Sequence, residues 1–419
     1  MRADQGTLHM FAMLGVVGCA SKAVPLGIQR DLSEPRPIAI VLPFPPAPDG
    51  AFPDISMSNA SQSQHLTLPV IPSLDERAST VERQHIQRVI DGKTKPLGAL
   101  GSLESLMMLF ASSAVARGDS VEQPLRAVPR MLVFAGDHGV ARKGVSIAGS
   151  EVTTAMVGNF LAGGAAISVV ARQHAIPLEV VDCGICVPVE PQPGLIDCRL
   201  GAGTAAFDET VAMSIDSACQ GIAHGMALAR DRVESGMNVL CVGEMGIGNT
   251  SAAAALMSAL TNIPVDECVG KGTGIDDATL AHKREIIARG VALHRQGNDD
   301  TPLELAARLG GYELVVMTGA MLGAAEKGAL VLVDGFVSSV AACLGCQMVP
   351  SLRDYVIFTH LSEERGHLAL LNYLGARPAM QLELRIGEGV GSALAVPLLE
   401  SALACYNQMA SFADAGISL

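Results

Sequence analysis

The 419-residue chain contains no tryptophan, and aromatic residues make up only 3% of it although 49% of its residues are hydrophobic. Its apolar mass is therefore carried by Ala, Val, Leu, Ile and Met, accompanied by 44 glycines. That mixture suits parallel strands covered by Ala-rich helices, with glycine at the strand-to-helix turns. Basic residues are also scarce: 29 Lys and Arg against 42 Asp and Glu leave a formal charge of −13. Such a balance argues against a nucleic acid or an anionic membrane as partner, since both select basic patches. An anionic small molecule remains compatible, because backbone N–H groups and one or two lysines bind a phosphate locally. Long apolar runs are lacking too: each is broken by Gly or charge before about 18 residues, so no membrane span is expected.

Motifs that are missing narrow the field further. No GK[ST] follows any Gly-rich turn, which excludes a P-loop, and no G-x-G-x-x-G follows the first strand-like run, which disfavours a dinucleotide oxidoreductase. Among the ten cysteines, Cys183–Cys186 and Cys343–Cys346 have the C-x-x-C spacing of zinc sites and redox pairs. The first pair ends an apolar strand-like run and the second lies in an Ala-rich helix-like run. Buried thiols in a reducing cytosol are the expectation, with no metal and no cofactor.

What is present falls into three parts. Residues 1–70 read as an extension. They hold the proline-rich stretch Asp31–Pro53, preceded by MFAMLGVVGCAS, a short apolar run with a superficial likeness to a signal h-region. A start at Met57 fits the cytosolic look of the body better. Helical patterns over Ser79–Ile90 and Leu103–Arg117, and a last one over Gly391–Met409, carry no strands of their own. They suggest a small helical lobe from residues 75–125 and 385–419. Between them, residues 126–384 alternate short apolar runs (MLVFAG, LEVVDCG, MNVLCVGE, ALVLVDG, YVIFTH) with Ala- and Leu-rich helical stretches. This alternation predicts an α/β catalytic domain: a Rossmann-like, mostly parallel sheet with helices on both faces.

In such a sheet, ligands bind beyond the carboxyl ends of the strands, so the residues after each apolar run carry the chemistry. GEMGIGNTS opens a helix. Its N–H groups at Gly246, Gly248, Asn249 and Thr250 are expected to face the site, where the helix dipole favours a phosphate or carboxylate. A tight packing turn is the alternative, but Glu244 beside an anion cradle is electrostatically awkward unless it serves a substrate. GKGTGIDD brings Lys271, with Lys283 shortly after. In RIGEGVGSALA, Glu388 stands between two glycines before a helix, as a working carboxylate or as that helix's cap. In HLSEERGH, the residues His360, Glu363, Glu364 and His367 suggest a hydrogen-bonded loop more than a metal site. Asp137 and His138 form either an acid–base pair or a buried pair that fixes the loop.

Taken together and in this order, these loops resemble the nicotinate-nucleotide–dimethylbenzimidazole phosphoribosyltransferase family. The likeness runs from about Thr94 through TKPLGALGSLE, VFAGDHGV, KGVSIAGSEVT, GEMGIGNTSAAAAL, VGKGTGIDD, GGYELVVMTGAMLGAA, FTHLSEERGH and LELRIGEGVGSALA. It implies transfer of ribose 5-phosphate from nicotinate mononucleotide to a nitrogen of 5,6-dimethylbenzimidazole, with inversion at the anomeric carbon and release of nicotinate. It implies Glu388 as the proton acceptor and Glu244 as a second carboxylate near the reacting centre. Gly246, Gly248, Asn249, Thr250, Lys283, Ser362 and Ser146 are implied to bind the nucleotide. Arg385 is implied either to neutralise a substrate anion or to hold Glu388. A cytoplasmic homodimer is implied as well. After GVS the family usually carries Tyr-Pro-Gln or similar, whereas this chain reads Ile147-Ala148-Gly149-Ser150. A benzimidazole is therefore the default base, with adenine and a phenol as the alternatives. A non-catalytic nucleotide-binding homologue is the rival from another class, and the presence of Glu388 speaks against it.

Overall fold

The computed structural model of the chain describes residues 66–270, 274–295 and 300–417. The expectations for residues 1–65, including the start at Met57, and for Lys271 lie outside the described residues. Six strands form one sheet: β1 (Pro129–Gly136), β2 (Leu178–Gly184), β3 (Leu195–Asp197), β4 (Val239–Met245), β5 (Leu330–Val333) and β6 (Val356–Phe358). Their order is β3-β2-β1-β4-β5-β6, and every neighbouring pair runs parallel. This is the doubly wound order whose direction reverses between β1 and β4, where a ligand crevice opens. The five apolar runs of the sequence are β1, β2, β4, β5 and β6; β3 is too short and too polar at its end to stand out.

The strands are continuous apolar runs because helices cover both faces. Residues 131–136 and 239–243 have essentially no solvent exposure. Two helices, Ile215–Glu234 and Tyr312–Glu326, approach until their backbones touch. A Cβ placed on Gly225 would lie 1.9 Å from the Val316 carbonyl oxygen, and one on Gly319 would lie 2.1 Å from that of Ile222. Glycine in a helix interior costs about 1 kcal/mol relative to alanine; here it permits a contact that any side chain would block.

At the N-terminal side, Ser79 and Glu82 form a reciprocal capping box at the start of the helix Thr80–Asp91, which stops orphan N–H groups from going unpaired. The helix Ser102–Arg117 ends at Gly118 in the left-handed conformation. The last helix, Val390–Gln408, packs both on that helix and on β4 and β5. Glu151–Gln173 is long and apolar enough by composition to cross a membrane, a span the reading of broken runs did not register. It is broken into the helices Glu151–Leu161 and Ala166–Gln173 by a turn at Gly163, whose φ is +81°. Both C-x-x-C pairs hold free thiols; Cys183 lies in β2 and Cys343 in the helix Phe336–Met348.

Candidate active site

Beyond the carboxyl ends of β4, β5 and β6 lies a cleft of about 870 Å³ including its open mouth. All ten residues that the sequence singles out line it: Ser146, Glu244, Gly246, Gly248, Asn249, Thr250, Lys283, Ser362, Arg385 and Glu388. Its walls are otherwise mostly apolar, with Val145, Met245, Ile275, Phe336 and Ile386, the usual make-up of a small-molecule site. A wider hollow between the helices Thr80–Asp91 and Ser102–Arg117, near Arg353, holds none of the Gly-rich turns. The TKPLGALGSLE segment also lies away from the cleft, where Lys95 is buried and pairs with Glu104 at 2.9 Å.

The turn after β4 leads into the helix Asn249–Thr261, with Gly248 as its N-cap at φ +94°. Not all of its N–H groups face a ligand, however. The Asn249 N–H donates to the Gly246 carbonyl at 3.1 Å, and the Ile247 N–H donates to Thr153 Oγ1 at 3.1 Å. The Asn249 side-chain amide donates to Glu244. Asn249 thus serves the turn and the neighbouring carboxylate, because the first helical N–H folds back when a glycine precedes it in the left-handed conformation. The N–H groups of Gly248 and Thr250 are left at the positive end of the helix. Facing them is Lys283 on the helix Asp277–His294, 2% exposed, whose Nζ donates to Thr250 Oγ1 at 2.9 Å. Burial pulls its pKa below the usual lysine value, while Glu364 pushes it back up. A buried ammonium beside free N–H groups has the chemistry to receive an anion such as a phosphate.

Two carboxylates share the cleft with them. Glu388 is 8% exposed, and its Oε2 has no hydrogen-bond partner. Burial, and then the nearby Asp334 carboxylate, push its pKa up to about 7. Glu244 is half-buried; its pKa is pushed up to about 8 by burial and then by Asp334 and Glu313, while the Asn249 hydrogen bond acts the other way. The Glu388 loop rests on β4 at Gly243, where a Cβ would lie 2.2 Å from the Glu388 carbonyl oxygen. Glu388 has φ +65°, the left-handed region, so it precedes the helix Val390–Gln408 without capping it; Gly389 is the N-cap and donates no side chain. Arg385 is exposed at the rim and forms no ion pair with Glu388 among the described residues.

The anchor that holds this loop is Asp334, which the sequence reading passed over in ALVLVDG. Its carboxylate is fully buried and accepts from the Gly389, Gly391 and Ser392 N–H groups at 3.0, 2.7 and 3.2 Å. The only available signal was its position, directly after a strand like the other loop residues. Asp137 and His138 do not pair with each other. Asp137 accepts from Thr153 Oγ1 and from the Cys186 N–H, both at 2.7 Å, so that Thr153 links it to the turn at Ile247. His138 bonds instead to Glu313 at 2.8 Å, a partner 175 residues away that no local pattern reveals. HLSEERGH is a hydrogen-bonded loop: His367 Nδ1 accepts the Ser362 N–H at 3.0 Å, so its Nε2 carries the proton toward Ser339 Oγ at 2.9 Å. Burial depresses the His367 pKa to about 3, which keeps it neutral.

A Gly-rich helix N-terminus and a buried lysine in one cleft with two carboxyl groups of raised pKa, at the carboxyl edge of a doubly wound sheet, suit an enzyme that transfers a phosphorylated sugar. The phosphoribosyltransferase family model matches residues 71–417. A relative from Shewanella sp. (strain W3-18-1), the nicotinate-nucleotide–dimethylbenzimidazole phosphoribosyltransferase, is 52% identical over 343 residues, 81% of this chain and 95% of that protein. Its counterpart in Shewanella piezotolerans (strain WP3 / JCM 13877) is 49% identical, covering 80% and 96%. The crystal structure of CobT from Thermus thermophilus superposes with a TM-score of 0.75 at 40% identity, covering 80% of this chain and 98% of that one. The chain belongs to the nicotinate-nucleotide–dimethylbenzimidazole phosphoribosyltransferase family.

Proposed function

We propose that this enzyme moves the 5-phosphoribosyl group of nicotinate mononucleotide to a ring nitrogen of 5,6-dimethylbenzimidazole, with Glu388 as the general base. The observation that carries the assignment is the unpartnered, high-pKa Glu388 carboxylate in one cleft with the Gly248–Thr250 turn and Lys283. The phosphate rests on that turn and on Lys283, with Ser362 and Ser146 beside it. The ribose anomeric carbon then faces the two carboxylates. The base nitrogen attacks it, the bond to the pyridinium nitrogen breaks, and that electron pair returns to the ring nitrogen, which becomes neutral as nicotinate leaves as its carboxylate anion. The proton on the attacking heterocycle goes to Glu388 Oε2. A pKa near 7 is matched to this task, since a general base works best when its pKa lies close to the operating pH. Glu244, oriented by Asn249, in its ionised form stabilises positive charge that develops on the ribose. Arg385 at the rim attracts an anionic substrate group.

Val145 and Ser146 line the cleft at the start of the departing Ile147–Ser150 stretch, and this supports testing other acceptors: adenine, other benzimidazoles and phenols. We also read the enzyme as a cytoplasmic homodimer with no membrane or nucleic-acid partner. The free thiols suit a reducing compartment, and Leu382 and Ile386 are each 49% exposed beside the cleft mouth, where a second copy would cover them; analytical ultracentrifugation tests the dimer. The helices of residues 75–125 and 385–419 would then act as a lobe next to the 126–384 catalytic domain. The function itself is tested by incubating the protein with nicotinate mononucleotide and each base, with and without Glu388→Gln. Wild type is expected to form the riboside phosphate and free nicotinate, and the variant to lose about 10²- to 10⁴-fold in kcat. No product from any base refutes the activity; full activity of Glu388→Gln refutes the base.

A further inference from the structure

We propose that Asp334 is the positioning residue for the general base: its carboxylate ties the Gly387–Gly389 loop to the end of β5 and so aims Glu388 into the cleft. The inference rests on the reading of Glu388 as the base. Three backbone donors converge on this one side chain. Oδ2 takes the Gly389 N–H, and Oδ1 takes those of Gly391 and Ser392. The last two bonds are those a helix N-cap normally supplies from its own side chain. Gly389 has none, and Asp334 fills that place from another strand. The first bond does something different. It fixes the peptide that joins Glu388 to the helix, while Gly243 of β4 supplies the floor on which the Glu388 carbonyl rests.

Glu388 is thereby held at φ +65°, a left-handed conformation that is unfavourable for a non-glycine residue and persists only where its surroundings determine it. Its Oε2 remains free for substrate. A cap of the long helix alone explains the bonds to Gly391 and Ser392, yet it requires neither the bond at Gly389 nor a like charge set so close to the base. Glu388 faces charge on each side. Asp334 stands at the end of β5, with the His360 ring 3.7 Å from it; Glu244 is at the end of β4, and Arg385 lies on the same loop. Asp334 is the neighbour that raises the Glu388 pKa, so its removal acts on the base through geometry and through charge at once.

The test uses the full chain with Asp334→Asn, Asp334→Glu, Glu388→Gln and the double variant D334N/E388Q, assayed with nicotinate mononucleotide and 5,6-dimethylbenzimidazole across pH 5–9. Asp334→Asn is expected to lower kcat by about 10- to 100-fold with little change in KM for the nucleotide. The acid limb of its kcat profile should move to lower pH, because a like charge has left Glu388. The double variant should be no slower than Glu388→Gln alone. An unmoved acid limb, together with a double variant slowed by the full product of both factors, overturns the positioning role and leaves a helix cap. Should Asp334→Asn not fold, Asp334→Glu keeps the charge but displaces it, and the same cycle against Glu388→Gln decides. A fully active Glu388→Gln would instead refute the reading of the base, whatever Asp334 does.

Discussion

At the scale of single residues, the site is held in a state that folding alone would not choose. Glu388 and Glu244 titrate at about 7 and 8 in the folded chain, against an ordinary carboxyl value near 4.5. Folding therefore takes up protons between those limits. The stability tied to these groups is fully present below about pH 4.5 and is lost as pH rises through 7 to 8. Replacing either carboxylate by an isosteric amide removes that loss. Glu388→Gln should melt roughly 2 °C above wild type at pH 8.5 (about 1–2 kcal/mol, held below the full shift because the cleft admits solvent). At pH 5 the two melting curves should coincide. Equal Tm values at both pH values would show that the carboxyl is not strained by burial. The rate obeys the opposite sign: kcat should rise with pH through about 7 as the base ionises, with an apparent pKa that belongs to the interacting Glu388, Glu244 and Asp334 group. Lys283→Met tests the phosphate end. Losing one charge-assisted contact should raise KM for nicotinate mononucleotide about 10- to 100-fold with kcat within a few-fold. Steady-state kinetics on both substrates separates this from a general loss, because KM for the base should not move.

At the scale of elements, the parts that sequence makes legible are those written in local periodicity. Continuous apolar runs bounded by Gly, Asp or His marked five of the six strands of the main sheet, and the three helical stretches flanking the sheet were found to within a residue or two of Thr80–Asp91, Ser102–Arg117 and Val390–Gln408. The short β3 lacks a pattern long enough to register. The His138–Glu313 bond and the threefold bonding of Asp334 escaped for another reason: each joins residues 55 to 175 positions apart, and only the folded chain brings them together. The Gly-rich turn was legible as a strand-to-helix turn that lines the cleft, but the use of each N–H was not, since the hydrogen bonds of Asn249 and Ile247 depend on tertiary neighbours. The helix pair Ile215–Glu234 and Tyr312–Glu326 offers a test of packing separate from chemistry. A methyl group on Gly225 meets the backbone of Val316 and Ala320, at 1.9 and 2.6 Å, and backbone cannot step aside as a side chain does. Gly225→Ala should therefore destabilise by about 3 kcal/mol, seen as a fall in Tm of roughly 4 °C. KM values measured well below that melting point should be unchanged, because the contact lies outside the cleft. An unshifted Tm would mean that the helices separate without penalty.

At the scale of the whole molecule, the described residues and the family likeness begin at nearly the same place. The described residues start at Leu66, the family match starts at residue 71, and the Shewanella relative is covered over 95% of its own length by 81% of this chain. Every residue lining the cleft lies between Val145 and Glu388, and the packing that supports them draws on helices from Leu74 onward. Tyr355 and Ser351 donate to the Pro72 and Ile71 carbonyls, and Leu66 and Leu68 pack against the core, so the support reaches back to residue 66. A chain starting at Met57 keeps all of these contacts. It should express with the Tm of the full-length protein within about 1 °C and with unchanged kcat and KM for both substrates. A chain starting at Thr80 removes Ile71, Leu74 and the capping box at Ser73. Exposing the apolar surface they cover should cost about 2–4 kcal/mol. Thermal melts and kinetics on the three chains side by side decide the matter: a loss of activity already at Met57 would place a working part of the enzyme in the first 56 residues.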